Sequence, residues 1–319
     1  MRRMFAVALL VGLMGPGLLP AEAHTGGTVR GFENPESAAW DKDTGGFFVS
    51  NIGPGAIDPF GREPDGYISR ISAAGQLAAA KWVTGLRSPK GIHRWGDDLL
   101  VADVGQLVVV DVAGAKIRRT IDLDGLGAKF PNDVTVDDRT GDAYVSDTGR
   151  NAIYRLPAGA SAAEVWLESD KLDGPNGVFL DGGTLMVASY GQDPDGDGPA
   201  ARAPGRLLEV DLATKAIRPL GEMAPLGNLD GLEKLGSDWI VTGSDHVWKV
   251  TPDGKATELA KVANAADLGL RRGDGVAAVP TLSDNTVQFV TVGGGGGGAQ
   301  PPPAGAGSSR RAGAPRQVR

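Results

Sequence analysis

Six tripeptides in this 319-residue chain carry polar or charged side chains at a recurring interval. They are Pro35-Glu36-Ser37, Pro89-Lys90-Gly91, Pro131-Asn132-Asp133, Pro175-Asn176-Gly177, Leu229-Asp230-Gly231 and Ala266-Asp267-Leu268. Their central residues lie 54, 42, 44, 54 and 37 positions apart and comprise three carboxylates, two amides and one ammonium group. Groups of these types coordinate hard cations through oxygen or carry protons in hydrolysis. Each also has a plainer use, because Asn and Asp at strand starts close turns with side-chain hydrogen bonds. Their meaning depends on whether the fold gathers them.

Other chemistry-bearing residues fit known arrangements poorly. The absence of cysteine excludes disulfides, a thiol nucleophile and cysteine-ligated metal. Asp193-Pro194-Asp195-Gly196-Asp197-Gly198 imitates the opening of a calcium loop, but Pro204 stands where the closing glutamate belongs. That rejects an EF-hand and leaves a weak calcium contact as the remaining option. His93 and His246 fall in different repeats with no acidic partner or helical spacing, so packing or surface roles are expected. His24 could chelate copper only as a mature amino terminus, and a single histidine makes a poor copper site. Ser37 and Ser189 lack a nucleophile elbow.

The elements that must position the six tripeptides are short strands. Alternating apolar runs bounded by turn residues recur at 46–50, 98–103, 142–147, 184–189, 239–243 and 275–280. Each is followed by another, at 66–71, 106–111, 152–156, 206–211, 246–250 and 286–290, and runs such as 115–119, 163–166 and 215–218 supply fourth members. No stretch keeps a 3.6-residue apolar period for three turns, so helix is expected to be scarce. Four strands per unit of roughly 40 to 45 residues is a propeller signature. The prediction is an all-β, six-bladed β-propeller with four-stranded antiparallel blades over residues 24–292. The last copy has three strands, and residues 28–32 can supply its outer strand and close the ring without an open edge. Because the tripeptides open the innermost strands, they are expected to ring one end of the central channel. Loops 51–65 and 191–205 should overhang that end as a lid or specificity wall, or serve as surface decoration. Trp40, Trp82, Trp95, Trp166, Trp239 and Trp248 spread across the blades as inter-blade packing requires.

With these residues in blade order, the chain resembles the regucalcin/gluconolactonase/luciferin-regenerating-enzyme (SMP-30-like) family of six-bladed propellers over roughly residues 28–292, in an exported bacterial branch. Glu36 before Trp40-Asp41, Asn132 in Pro-Asn-Asp, Asn176 in Pro-Asn-Gly and Asp230 in Asp-Gly are similar to the family's four divalent-metal ligands. The resemblance implies a metal at the channel mouth and hydrolysis of lactones or related esters. Two carboxylates and two amide carbonyls form an oxygen-rich set, so Ca²⁺ is the expected ion, with Mg²⁺, Mn²⁺ or Zn²⁺ as options. On that reading Asp230 is both ligand and the group that handles the proton of the attacking water, with Glu36 next in line. The family's sugar-lactone hydrolases carry arginine two residues before the third-blade asparagine, whereas this chain has Phe130, which argues against a sugar acid lactone. Lys90 could bind a substrate carboxylate, act as a base, or pair with Asp267 and Glu36, and the ion pair is the expected arrangement.

The ends differ from the middle. Residues 1–23 combine Arg2 and Arg3, an apolar run and a closing Ala21-Glu22-Ala23, the pattern of a secretory signal peptide and hence of a periplasmic or secreted protein. Residues 293–319 are Gly-, Pro- and Arg-rich without apolar periodicity, and are expected to be a disordered tail. Removing the +1 of the leader and the +4 of the tail from the net charge of −7 leaves −12 on residues 24–292. An acidic body without a basic stripe argues against nucleic acid as partner, and no second apolar run is long enough to span a membrane. The expected partner is a small-molecule substrate or ligand bound by a monomer. The competing account is a non-catalytic propeller that binds a ligand or protein over its mouth, with any metal structural. The 49 glycines fit a chain that needs a turn after almost every strand.

Overall fold

Strand follows strand through residues 26–191, 203–243 and 245–293, which the computed structural model describes. The expected leader, His24, residues 192–202 of the second long loop with the calcium-loop imitation, and the tail beyond Gly293 lie outside the described residues.

Blade 1 consists of β2 (Pro35–Asp41), β3 (Gly46–Asn51), β4 (Gly66–Ile71) and β5 (Leu77–Leu86). Blade 2 holds β6 (Ile92–Trp95), β7 (Asp98–Asp103), β8 (Gln106–Asp111) and β9 (Lys116–Asp122). Blade 3 holds β10 (Pro131–Val136), β11 (Ala143–Asp147), β12 (Ala152–Leu156) and β13 (Glu164–Glu168). Blade 4 holds β14 (Pro175–Asp181), β15 (Thr184–Ser189), β16 (Leu207–Asp211) and β17 (Ile217–Pro219), and blade 5 holds β18 (Leu229–Leu235), β19 (Asp238–Gly243), β20 (His246–Val250) and β21 (Ala256–Lys261). Blade 6 is built from both ends of the propeller: β22 (Gly269–Arg271), β23 (Val276–Thr281) and β24 (Thr286–Thr291), with β1 (Gly27–Arg30) as its outermost strand. Val29 pairs with Val287, so the amino-terminal strand closes the ring as the sequence predicts. Every blade is an antiparallel meander of four strands, and among the described residues helix is confined to single 3₁₀ turns such as Asp124–Leu126. No helix among the described residues is long and apolar enough to cross a membrane.

Burial follows strand position. β3 and β10 are buried on both faces because neighbouring blades cover them, whereas outer β9 buries only Ile121. The apolar clusters sit between blades. Phe48, Ile68, Leu99 and Val101 join blades 1 and 2, for example, and Met186, Ala188, Trp239 and Val241 join blades 4 and 5. Trp166 and Trp239 are buried, and the other four tryptophans are half-buried against such clusters, as inter-blade packing requires. At about 25 cal/mol per Å² of apolar surface, this blade-to-blade contact is the main stabilising term.

Candidate functional site

The six tripeptides do converge on one end of the channel, and the ladders show how four of them are presented. In β2, β10, β14 and β18 the pairing with the next strand slips between Pro35 and Ala38, Pro131 and Val134, Pro175 and Val178, and Leu229 and Leu232. Each slip brackets one of Glu36, Asn132, Asn176 and Asp230 with the residue after it. A bulge of this kind frees a strand residue from the ladder and re-aims its side chain. Blades 2 and 6 differ: their innermost strands begin only at Ile92 and Gly269, after Lys90 and Asp267. The expected strand starts at Pro89 and Ala266 are therefore too early. Lys90 N–H instead donates to Ala102 O at 2.8 Å, and Asp267 N–H to Glu36 O at 3.0 Å.

Buried hydroxyls on the second strands hold three of the bulges. Ser50 Oγ accepts from Ser37 N–H at 2.9 Å, Ser146 Oγ from Asp133 N–H at 2.9 Å, and Thr242 Oγ1 from Gly231 N–H at 2.9 Å. Ser146 also donates to Asn176 O at 2.6 Å and Thr242 to Ala266 O at 2.8 Å, which ties each blade to the next. Sequence reasoning passed over these three residues. The available signal was a hydroxyl in Val49-Ser50, Val145-Ser146 and Val241-Thr242 at one place in the repeat. Gly91 lets blades 2 and 3 approach, because a Cβ there would overlap the Asp133 carboxylate.

Asn132 Nδ2 donates to Thr148 Oγ1 at 3.0 Å, and Asn176 Nδ2 donates to Leu229 O at 3.2 Å. With the amide N–H groups turned to these acceptors, the carbonyl oxygens are the ends left to accept from or coordinate something else. Glu36 Oε2 and Asp230 Oδ1 are buried with no hydrogen-bond partner. Burial pushes the Glu36 carboxyl well above the usual range, and the Asp230 and Asp133 charges push the same way while Lys90 opposes them. Burial likewise lifts Asp230 to about 7, while Asn176 pulls the other way. Asp267 is raised chiefly by burial and by Asp133, although the Ser37 hydroxyl donates to it. Asp133, another residue the sequence reading missed, is lifted to about 7 by burial while accepting N–H bonds from Val134 and Val178 at 2.7 Å.

The expected contact ion pair of Lys90 with Asp267 and Glu36 does not form. Blade 1 stands between blades 2 and 6, so Glu36 separates Lys90 from Asp267, whose carboxylate takes Ser37 instead. Lys90 Nζ donates to Ser88 O at 3.0 Å and lies 4.7 Å from the centre of the Phe130 ring. Burial pulls it down to about 8, and Glu36 resists as a through-space partner. Four carboxyls, three buried and Asp230 half-buried, thus share the mouth with one weakened cation, so they hold their protons when alone and ionise together only if further positive charge enters. No group of three or more His, Asp or Glu residues forms a metal cluster among the described residues, so a cation here would depend on the two amide oxygens as well. Orphaned carboxylate oxygens and outward-bonded amides fit a hard divalent ion.

Loop 51–65 covers the blade 2 and 3 side of this mouth. Ser88 Oγ donates to Asp58 O at 3.1 Å, and Arg62 forms a two-bond pair with Asp124 at 2.7 and 2.8 Å. Phe60, 62% exposed, packs against Phe130 with ring centres 4.9 Å apart and planes tilted by 52°. Across the mouth a hollow of about 250 Å³ is lined by Tyr190, Asn228, Asp230, Asp245, Asn264 and Leu282, among others. His246, expected to lack an acidic partner, lies 3.5 Å from Glu258, diagonally across the β20–β21 pair in which Glu258 stands opposite Trp248.

No family model and no curated protein matches the chain. Among solved structures it is similar to a gluconolactonase from Xanthomonas campestris, with 16% identity, a TM-score of 0.61 and coverage of 82% of this chain and 86% of that one. It is also similar to Kuenenia stuttgartiensis hydrazine synthase, with 15% identity, a TM-score of 0.53 and coverage of 86% and 80%. The propeller is shared. Two such different chemistries on one scaffold leave the activity to be argued from the site.

Proposed function

We propose that the chain is an exported, metal-dependent hydrolase of a lactone or ester, with a divalent ion, Ca²⁺ by preference, held by Glu36, Asn132, Asn176 and Asp230. The observation that carries this reading is the set of four bulges, each presenting an oxygen-bearing side chain to one channel mouth, two with buried carboxylate oxygens that lack any partner. The likeness to a gluconolactonase supports it at the level of the scaffold. Export rests on the leader pattern of residues 1–23.

A bound divalent ion would supply Lewis acidity to the ester carbonyl and acidify the attacking water. Asp230, through the carboxylate oxygen that does not hold the ion, takes the proton from the attacking water and returns it to the leaving alkoxide. Asn176 Nδ2 donates to Leu229 O, the carbonyl just before Asp230, and so holds the bulge that carries it. Glu36 supplies the second negative charge of the site, and Lys90 offsets part of it through space. Phe60 and Phe130 present an aromatic wall where a polyhydroxylated acid would need hydrogen-bond donors, so the substrate carries an apolar group on that side.

The test is turnover of a panel of alkyl-substituted lactones, sugar lactones and aryl esters by calcium-loaded protein, alongside Asn176→Ala. Hydrolysis of an apolar member, reduced by at least about tenfold in the variant, supports the reading. No turnover of any member, with wild type and variant alike, replaces it with the non-catalytic propeller.

A further inference from the structure

Beyond the ring, the six innermost strands run on to the opposite end of the channel. Three residues past the centre of each mouth tripeptide stand Ala39, His93, Thr135, Phe179, Glu233 and Leu270, one from each blade, and all line one cavity of about 470 Å³. β24 runs toward the same end. Past it, Val292 N–H donates to Gly275 O at 2.8 Å, in the turn between β22 and β23, and a Cβ on Gly293 would touch the Leu235 side chain at the end of β18. Arg272 of that turn and Glu233 of β18 both line the cavity. Residues 294–319 therefore set out from the rim of this cavity, on its blade 5 and 6 side.

We propose that this far mouth is a docking site for the chain's own tail, and that Pro301-Pro302-Pro303 is the segment it holds. Five glycines, Ala299 and Gln300 separate Gly293 from the prolines. Eight residue steps of such a linker average about 16 Å end to end and reach about 26 Å when extended. The Arg272 guanidinium on the rim is 5.5 Å from the centre of the Phe179 ring, so the cavity wall is well within that reach. Three consecutive prolines favour a polyproline II helix, about 9 Å long at 3.1 Å per residue. A rounded cavity of 470 Å³ is about as wide.

The chemistry of the lining matches that segment. Trp40, Trp95 and Phe179, from blades 1, 2 and 4, are half-buried there, and proline rings in this helix pack against such aromatic walls. The lining cations are already paired, Lys42 and Arg94 with Asp41 and Asp43 and Arg272 with Glu233, so the wall calls for an uncharged occupant. Burial pulls His93 down to about 4 and leaves it a neutral imidazole, with one N–H to offer a backbone carbonyl. Proline brings no N–H of its own, so enclosing it strands no donor. Asp138, exposed on the blade 3 wall, remains for Arg310 or Arg311 of the same tail to meet. Because the segment is tethered, its effective concentration is on the order of millimolar, and a dissociation constant of about 0.1 mM keeps it seated in most molecules. The docking is independent of any hydrolysis at the ring.

The chain has no cysteine, so Ala304→Cys in the full chain gives one attachment point for a small fluorophore that tryptophan quenches at contact. The emission of the labelled protein is the readout. Replacing Pro301, Pro302 and Pro303 together by serine leaves the propeller untouched and should raise the emission at least about twofold. Trp40→Phe with Trp95→Phe, which keeps an aromatic ring on each blade and removes the quenchers, should raise it similarly. The serine variant carries the test if the tryptophan variant does not fold. Emission unchanged by the serine substitutions overturns the proposal. Quenching that survives in the folded tryptophan variant places the tail elsewhere and overturns it too. Emission per molecule that falls as protein concentration rises puts the tail on a second copy of the chain, which also overturns it.

Discussion

Replacing Asp230 by Asn should stabilise the metal-free protein at neutral pH and abolish its stabilisation by calcium. Asp230 holds its proton up to about pH 7 in the folded protein, whereas an unperturbed carboxyl loses it near 3.8. Between those values the folded state binds more protons than the unfolded chain, so its stability falls as pH rises through the window. About three units at roughly 1.4 kcal/mol each amounts to about 4 kcal/mol above pH 7 for this one group. Asp133, also lifted to about 7, adds to the fall with the same sign. For a chain of this size about 4 kcal/mol corresponds to roughly 8 °C in Tm. Differential scanning calorimetry on chelator-stripped protein at pH 5 and pH 8, with and without added calcium, reads the effect. Wild type should lose several degrees on going to pH 8 and recover them with calcium. Asp230→Asn should melt higher than stripped wild type at pH 8 and respond little to calcium. A stripped wild type equally stable at both pH values, or an Asn variant that melts lower at pH 8, refutes the reasoning.

Ser146→Ala leaves Asp133 N–H and Asn176 O without their partners and should cost about 2 to 4 kcal/mol, measured by urea denaturation, with weaker calcium binding. A loss below about 0.5 kcal/mol would show that the hydroxyl does not hold the bulge. Phe60→Ala should raise KM for an alkyl-substituted lactone by about tenfold while leaving calcium affinity unchanged, since Phe60 touches Phe130 and no ring carboxylate. An unchanged KM, or a preference for sugar lactones, removes the aromatic wall from the account.

The blade count, strand order and closure by the amino-terminal strand were legible because a period of two, bounded by turn residues, repeats six times. The place of Glu36, Asn132, Asn176 and Asp230 was legible because each opens an innermost strand. The bulges were not, since an extra residue in a ladder is a property of pairing register that no single strand announces. Asp133 was hidden for a related reason: it follows Asn132 and reads as an ordinary turn acid until Gly91 and Val178 close around it. Lys90 was misjudged because alignment places residues on a ring without saying which are neighbours, and Glu36 lies between it and Asp267. The Glu258 beside His246 arose in the same way, from cross-strand register.

Anomalous diffraction from crystals of the protein grown with calcium, or with manganese as a stronger scatterer, tests the central claim most directly. The account predicts one peak at the channel mouth, within about 2.0 to 2.6 Å of oxygens from Glu36, Asn132, Asn176 and Asp230. A mouth without a peak at millimolar metal, with Lys90 Nζ drawn in among the carboxylates, would contradict it.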